Sequence, residues 1–146
     1  MIALIQRVNW AQIHIDENLH SKIDCGLLAF VGIEKSDETK LAQKLLDKIL
    51  AYRVFSDSNG KMNLSLKDIS GDLMLVSQFT LAADTGKGLR PGFSSAKAPD
   101  EAERIYNHLL DLASSQHDSV ASGKFAADMQ VTLENNGPVT FILRSN

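Results

Sequence analysis

The feature that most constrains the fold is a Gly-Pro pair, Gly137-Pro138, that separates two apolar segments near the C-terminal end of the chain. The segments before and after it, MQVTL and VTFIL, have the composition of β-strands. Proline has no N–H group to give to a β-ladder, and glycine adopts backbone shapes that other residues avoid. The pair therefore predicts either a turn between two strands, at residues 125–133 and 139–143, or a rigid piece of backbone with a function of its own.

Further segments have the patterns of strands. Residues 2–8 and 11–15 alternate between apolar and polar side chains, which predicts a hairpin. Residues 21–33 predict another strand or pair of strands, with Gly26 as a bend or bulge. The stretch LLAFV within them is apolar on both faces, which is typical of a buried central strand.

Two segments predict the main helices. Residues 36–55 carry an apolar stripe at helical spacing, and Asp37 and Glu38 suit the start of a helix. Residues 99–116 begin with Pro99 and an acidic first turn, which is a favourable helix start. A separate face of the first helix, either solvated or in contact with RNA phosphates, carries three lysines: Lys40, Lys44 and Lys48.

The bulk composition indicates one ordinary globular domain over residues 1–146. Hydrophobic residues make up 44% of the chain and charged residues 23%, with a formal net charge of −3. That charge argues against sequence-blind binding of nucleic acid through a broad basic surface. We expect a cytoplasmic protein without a membrane span or export signal, and the single cysteine, Cys25, as a small core residue.

No familiar catalytic motif occurs. The four histidines do not have metal-ligand spacings, and the phosphate-binding glycine motifs are absent, so we expect neither a metal nor another cofactor. The segment 72–81 starts as a buried strand and turns polar at Ser77, Gln78 and Thr80, and a long Gly/Ser-rich loop follows at 82–98. The hydroxyls of Ser77 and Thr80 either make ordinary hydrogen bonds within a strand or belong to a site that uses backbone N–H groups, amides and the Gly-Pro unit.

Three stretches taken together resemble the D-aminoacyl-tRNA deacylases of the bacterial and eukaryotic type. They are MIALIQRV, VSQFTLAADTGKGLRPGF and GKFAADMQVTLENNGPVTF. The motif residues are Ser77, Gln78 and Leu81 in one stretch and Asn135, Gly137, Pro138, Val139 and Thr140 in another. The resemblance covers essentially the whole chain. It implies a mixed α/β (α+β) fold, built as a layered β/β/α sandwich of mostly antiparallel strands with two main helices.

The resemblance also implies an activity. Such an enzyme hydrolyses the ester bond of D-aminoacyl-tRNA and of mischarged glycyl-tRNA, which is a chiral proofreading step in translation. Its partners are the aminoacylated 3′ end of tRNA and a second copy of the chain, and the active sites lie at the homodimer interface. The resemblance implies no binding to DNA or to a membrane. In the family the Gly137-Pro138 peptide is cis and enters the partner subunit's site, where its backbone rejects L-amino acids.

The resemblance assigns the site residues as follows. Backbone N–H groups at Phe79 and Thr80 polarise the ester carbonyl, and Ser77 and Gln78 shape the pocket, with the Thr80 hydroxyl as a candidate nucleophile. Arg7 belongs to the substrate pocket and buttresses the Gly-Pro loop. The remaining assignments are an adenosine pocket of Phe125, Ala126 and Met129, and phosphate contacts by Lys87, Arg90 and Lys97.

Three alternatives remain open at this point. The chain could be an RNA-binding module without activity, although no basic, aromatic-lined face is evident. It could be an esterase acting on small D-amino-acid esters or peptides without tRNA. It could also be a structural dimer in which the Gly-Pro pair is only a turn.

Overall fold

The structure, a computed structural model, describes residues 1–86 and 88–146. In this part of the chain, eight strands and three α-helices alternate in a mixed α/β fold. The strands are β1 (Ile2–Ile15), β2 (Asn18–Ile23), β3 (Gly26–Gly32), β4 (Phe55–Ser56), β5 (Met62–Leu64), β6 (Asp72–Ser77), β7 (Val120–Ser122) and β8 (Gln130–Arg144). The helices are α1 (Lys40–Ala51), α2 (Leu66–Ile69) and α3 (Pro99–Gln116), with a 3₁₀ turn at Phe79–Ala82.

Strand β1 is paired along both of its edges. On one edge it pairs antiparallel with β3 and then with β2, and on the other edge it pairs antiparallel with β8. The predicted hairpin within residues 2–15 is wrong, because Asn9 and Trp10 continue the strand. Trp10 pairs with Glu134 of β8, and the buried side chains of Val8 and Ala11 belong to the same core.

The Gly-Pro pair is not a turn between two strands. It lies inside the single strand β8, and residues 125–129 before that strand are not extended. Gln6 of β1 pairs with Thr140 and Val8 with Asn135, so residues 136–139 have only Arg7 opposite them. These four residues leave the ladder and form a large bulge, which is called the Gly-Pro loop (residues 136–139) below.

Strands β6 and β7 complete the main sheet, while β4 and β5 pair antiparallel in a separate two-stranded sheet. Strand β6 runs parallel to β3 on one side and to β7 on the other, while all the pairs of β1 are antiparallel. The strand order β2-β1-β3-β6-β7 leaves β2 and β7 at opposite ends. The hydroxyl of Ser21 on β2 nevertheless donates to the carbonyl of Ser122 on β7 at 2.9 Å, so the sheet curls until its ends meet.

Two hydrophobic cores lie on the two faces of this sheet. The larger core joins α1 and α3 to the sheet through fully buried side chains such as Leu45, Ile49 and Leu109. The smaller core lies inside the curl and includes Ile13 and Met74. Each layer buries enough apolar surface to stabilise the packing of elements far apart in sequence.

Helix α1 begins later than its sequence pattern suggests. Asp37 is buried ahead of the helix, where its carboxylate accepts from the N–H of Glu34 at 2.7 Å and from the Met1 ammonium group at 2.7 Å. The lysine row of α1 contacts the C-terminal segment, because Lys44 and Lys48 donate to the carbonyls of Asn146 and Arg144. These contacts hold the end of β8 against the helix.

Cys25 is exposed in the turn between β2 and β3, so its predicted place in the core is wrong. The buried run begins one residue later, at Gly26, because the turn must be completed before β3 enters the sheet. Among the described residues, none of the helices has the length and apolar character needed to cross a membrane.

Candidate active site

A cavity of about 500 Å³ opens where β6 ends, beside the start of α3. The carboxyl end of a buried parallel strand is a common position for functional groups, because loops there are free to carry polar atoms. The cavity lining is mostly apolar, with Ser77, Gln78, Lys97 and Asp128 as its polar side chains. The other lining residues are Phe30, Val31, Ile33, Val76, Phe79, Ala96, Pro99, Ala102, Phe125, Ala126, Ala127, Met129 and Val131.

The rim of this cavity is formed by the turn that follows β6. The N–H of Gln78 donates to the carbonyl of Val31 at 2.8 Å, which ends the parallel pairing with β3. The chain then enters the 3₁₀ turn, and among the described residues the N–H groups of Phe79 and Thr80 have no hydrogen-bond acceptor. Two adjacent free backbone donors at the mouth of an apolar cavity are suited to an oxygen that carries negative charge.

The side chain of Gln78 reaches past this turn. Its amide nitrogen donates to the hydroxyl oxygen of Thr80 at 2.6 Å. Thr80 is exposed and does not line the cavity itself, so the contact holds its hydroxyl at the outer side of the turn. An amide cannot take up a proton, and this contact therefore does not activate Thr80 as a nucleophile.

The apolar wall of the cavity is supported from behind. Phe125 packs against Tyr106 with ring centroids 6.0 Å apart, and Met129 packs on the smaller core. The Tyr106 hydroxyl donates to the carbonyl of Leu75 at 2.8 Å, and burial raises the pKa of Tyr106 above its usual value. The phenol therefore stays protonated and fixes the position of the wall.

Lys97 places a cationic side chain beside the cavity. Only 11% of that side chain is exposed, and its ammonium group contacts the carboxylate of Glu101 at 3.4 Å. It also donates to the carbonyl of Lys35 at 3.0 Å. These two contacts hold Lys97 along the cavity wall rather than pointing into solvent.

Exposed aromatic side chains extend the site onto the following loop. Phe79 is 60% exposed, and its ring lies 5.1 Å from that of Phe93. The loop is tied by mutual backbone hydrogen bonds between Asp84 and Gly92. Arg90 is exposed on this loop, whereas Lys87 lies outside the described residues.

The Gly-Pro loop forms a second, separate feature. The Gly137-Pro138 peptide is cis, Gly137 has a φ of +146°, and both residues are exposed. The Nε of Arg7 donates to the carbonyl of Asn136 at 2.8 Å, and its Nη1 donates to the carbonyl of Val54 at 2.6 Å. Arg7 therefore fixes one limb of the loop to the body of the protein.

The other limb is held by a residue that the sequence analysis did not single out for a role. The side-chain oxygen of Asn135 accepts from the N–H of Val139 at 2.7 Å, and its nitrogen donates to the carbonyl of Val139 at 3.2 Å. The pair of asparagines directly before Gly137 was the available signal, because asparagine commonly hydrogen-bonds nearby backbone.

The structure brings seven of the sequence-predicted site residues together around one cavity: Ser77, Gln78, Phe79, Lys97, Phe125, Ala126 and Met129. Thr80 adjoins it through Gln78. Gly137, Pro138 and Arg7 are not among the cavity-lining residues of the described chain. Over residues 1–86 and 88–146, no group of three or more His, Cys, Asp or Glu side chains could hold a metal ion.

Comparison with known proteins identifies the family. The family model described as D-Tyr-tRNA(Tyr) deacylase matches residues 4–144. The chain belongs to the D-Tyr-tRNA(Tyr) deacylase family. Members of this family of D-aminoacyl-tRNA deacylases are hydrolases that act on the ester bond of aminoacyl-tRNA.

Curated relatives support the D-aminoacyl-tRNA deacylase family over the full length. The D-aminoacyl-tRNA deacylase of Stutzerimonas stutzeri is 57% identical over 145 residues, covering 99% of this chain and 100% of the relative. That of Pseudomonas fluorescens is 55% identical with the same coverage. That of Shewanella loihica is 52% identical over 144 residues, covering 99% of both chains.

Solved structures agree with the deacylase fold. The c-Myc DNA Unwinding Element Binding Protein superposes with a TM-score of 0.96 at 36% identity, covering 100% of this chain and 99% of that one. A probable eukaryotic D-amino acid tRNA deacylase superposes with a TM-score of 0.83 at 14% identity, covering 97% of each chain. At that identity the second likeness concerns the fold alone.

Proposed function

We propose that this protein hydrolyses the ester bond between a D-amino acid, or glycine, and the 3′-terminal adenosine of tRNA. The observation that carries the proposal is the full-length similarity to curated D-aminoacyl-tRNA deacylases, at 57% identity for the Stutzerimonas stutzeri protein. Products are the free tRNA and the free amino acid. We place the reaction in the cytoplasm, where aminoacylated tRNA is used.

The cavity at the end of β6 suits the terminal adenosine. Phe125 and Met129 supply an apolar wall that a purine ring can pack against, and the cavity is large enough for a nucleoside. With the adenosine seated there, the ester carbonyl reaches the rim at Phe79 and Thr80. Their free N–H groups then stabilise the negative charge that develops on the carbonyl oxygen as water attacks.

No side chain is needed as a nucleophile in this scheme. Thr80 accepts a hydrogen bond from Gln78 and has no proton-accepting partner among the described residues. The 2′-hydroxyl of the terminal ribose lies next to the ester and helps to activate the attacking water. Catalysis thus depends on polarisation of the carbonyl and on correct placement of the substrate.

Selection for the D configuration comes from the Gly-Pro loop of a second copy of the chain. The loop is exposed and does not line its own subunit's cavity in the described structure, which favours action on a partner. Strand β8, which carries the loop, also exposes Phe141 and Ile142, and Ile142 is 64% exposed. Apolar side chains on a strand at the border of a sheet are suited to a homodimer interface.

The proposed selection is steric. Backbone carbonyls of the partner's Gly-Pro loop accept hydrogen bonds from the α-amino group of the substrate. The same backbone occupies the space that an L side chain needs, whereas a D side chain points away and glycine has none. Rejection by fixed backbone discriminates without a dedicated side-chain pocket.

Recognition of tRNA is limited to its aminoacylated end. The net charge of −3 is compatible with few phosphate contacts. Arg90 and Lys87 are the candidates for these contacts, and Lys97 joins them only if its ammonium group leaves Glu101. Arg90 is exposed on the loop beside the cavity rim, and this exposure supports its role in contacting the acceptor stem.

The test is release of labelled amino acid from D-Tyr-tRNA, L-Tyr-tRNA and Gly-tRNA by the purified protein, with the ethyl ester of D-tyrosine as a substrate without tRNA. We expect fast release from D-Tyr-tRNA and Gly-tRNA, no release from L-Tyr-tRNA, and slow cleavage of the ethyl ester. Equal rates on the ethyl ester would support the small-ester hydrolase instead. Equal attack on both enantiomers would contradict the proposed selection, and no release from any tRNA would contradict the proposed function.

A further inference from the structure

The Gly-Pro loop is closed at its base by one side chain. The amide of Asn135 accepts from the N–H of Val139 and donates to the carbonyl of Val139. Its second N–H donates to the hydroxyl oxygen of Thr140 at 3.0 Å. Every polar atom of the amide is therefore used, and the two residues at which β8 leaves and re-enters the ladder are bound to each other.

The buried side of the loop gives this closure a fixed support. Val139 is buried in the larger core, while Gly137 and Pro138 are exposed. Because Asn135 is paired with Val8 of β1, its amide joins the anchored Val139 to the sheet. The position of Gly137 and Pro138 relative to the sheet therefore depends on the hydrogen bonds between Asn135, which is paired with β1, and Val139, which is packed in the core.

A second group of side chains controls the direction of the loop. The side chain of Asn136 donates to the side-chain oxygen of Asn9 at 3.0 Å, and Asn9 donates in turn to the carboxylate of Glu134. Arg7 and Asn9 lie two residues apart on β1 and therefore on the same face of the strand. One holds the carbonyl of Asn136 and the other holds its side chain, so Asn136 is fixed at two positions.

We propose that Asn135 is a positioning residue for the chiral selector, and that Asn9 and Glu134 assist it by orienting Asn136. The proposal rests on the proposed function, since it assigns residues that hold the Gly-Pro loop in the position at which an L side chain is rejected. None of these side chains touches the substrate. They act through the backbone, and a displacement of the loop by even about 1 Å changes the relative rates on the two enantiomers strongly.

The chemistry of asparagine explains why this residue type suits the position. An amide offers an acceptor for the Val139 N–H and a donor for the Val139 carbonyl on two separate atoms, and a further N–H for Thr140. Aspartate in its place keeps the acceptor but sets a negative oxygen against that carbonyl. Alanine removes both contacts and leaves the ends of the loop unconnected.

The experiment compares kcat/KM on D-Tyr-tRNA, L-Tyr-tRNA and Gly-tRNA for the wild-type protein, Asn135→Ala and Asn135→Asp. The matched control is Asn107→Ala, which removes an exposed asparagine from α3. We expect the ratio of D to L activity to fall about tenfold or more in Asn135→Ala, because the loosened loop admits L-tyrosine. Asn135→Asp should show an intermediate ratio, and Asn107→Ala the wild-type ratio.

The three substrates separate positioning from general damage. Glycine has no side chain to exclude, so Gly-tRNA hydrolysis should change much less than the D to L ratio. A uniform loss on all three substrates, or an unchanged D to L ratio in a folded Asn135→Ala protein, would overturn the inference. If Asn135→Ala does not fold, the inference is tested with Asn9→Ala and Asn135→Asp, since Asn9 is exposed and its replacement should not prevent folding. A wild-type ratio of D to L activity in both variants would overturn the inference.

The inference and the proposed function fail in different ways. If the wild-type protein releases no D-tyrosine from tRNA, the proposed function is wrong and this inference is wrong with it. If the wild-type protein discriminates and the variants discriminate equally well, only the role of Asn135 is wrong.

Discussion

The ammonium group of Met1 lies in the interior of the protein, 2.7 Å from a carboxylate oxygen of Asp37. The same ammonium group donates to the carbonyl of Ser145 at 3.1 Å, and the other oxygen of Asp37 accepts from the N–H of Glu34. Residues 1 and 145 and the segment before α1 therefore meet at one buried ammonium group, which has the carboxylate of Glu34 as a second, more distant partner at 3.7 Å. A buried charge without its partner is costly, so the ammonium group and Asp37 depend on each other.

Replacing Asp37 should destabilise the protein. Asp37→Asn keeps the size of the side chain but leaves the Met1 ammonium group with only the partly exposed Glu34 carboxylate, 3.7 Å away, as its counter-charge, and the free energy of unfolding should fall by about 1–3 kcal/mol. Urea unfolding followed by circular dichroism measures this change. The control is Glu38→Gln, because the ion pair of Glu38 with Lys40 is exposed and should contribute little. Equal stability of Asp37→Asn and the wild-type protein would contradict the prediction.

Gly137 should not tolerate a side chain. A Cβ atom there would lie 2.6 Å from Val139 Cγ2 and 2.8 Å from the Val139 nitrogen, at a φ of +146°. Gly137→Ala should therefore lower the free energy of unfolding by about 1–3 kcal/mol and reduce the ratio of D to L activity. The control Gly60→Ala also has a positive φ, +74°, but no atom within 4 Å of the added Cβ. It should keep the wild-type ratio; a similar loss of selectivity in both variants would count against the clash at Gly137.

Mixed dimers test whether the loop acts on the partner's cavity. Pro138→Ala provides a defective loop, and Ala127→Trp fills the cavity but leaves the loop intact. We expect the Pro138→Ala protein alone to release L-tyrosine from tRNA. When it is refolded with an excess of the Ala127→Trp protein, most of its open cavities should receive an intact loop from the partner. Release of L-tyrosine should then be suppressed, while release of D-tyrosine continues. The control is an excess of the double variant, which supplies no intact loop. Unchanged L-tyrosine release with the single variant would mean that each loop serves its own subunit.

The Thr80 hydroxyl should be dispensable for the chemical step. Its hydrogen-bond donor is the amide of Gln78, which cannot act as a base. Thr80→Ala should therefore lose much less than the roughly 100-fold or greater rate that removal of an acid–base group costs. Single-turnover deacylation of D-Tyr-tRNA gives the rate of the chemical step directly. A roughly 100-fold or greater loss of the single-turnover rate in a folded Thr80→Ala protein would instead support Thr80 as the nucleophile.

The affinity for tRNA should depend only weakly on salt. With two or three phosphate contacts, the slope of log K against log salt concentration should be about −2 to −3. Arg90→Ala should make this slope shallower by about one unit and weaken binding to all aminoacyl-tRNAs alike. Filter binding over a range of salt concentrations measures both. A slope much steeper than this in the wild-type protein would indicate a far larger RNA footprint.

The local elements were predictable from sequence where the deciding signals were local. Pro99 and the acidic residues after it predicted the start of α3, which spans Pro99–Gln116 in the structure. The apolar run that turns polar at Ser77 predicted β6, and a cavity opens at the end of that strand. The family itself was identifiable because two short motifs occur together in one chain.

The failures arose where the deciding contact is distant in sequence. Whether Asn9 and Trp10 form a turn or continue a strand depends on β8, more than a hundred residues away. The Gly-Pro loop likewise leaves a strand instead of ending one because both of its flanks pair with β1. The contacts of Asn135 were not predictable from the motif alone, since its side chain binds the backbone N–H and carbonyl of Val139, four residues further on.

The pairing of β1 with β8 also affects how the protein is made. Strand β1 leaves the ribosome more than a hundred residues before the partner of its outer edge, residues 130–144. Closing so long a stretch of chain carries an entropic cost and delays folding. The nascent protein therefore carries an unpaired strand edge until residues 130–144 have been synthesised, and such edges are sites of aggregation until they are covered.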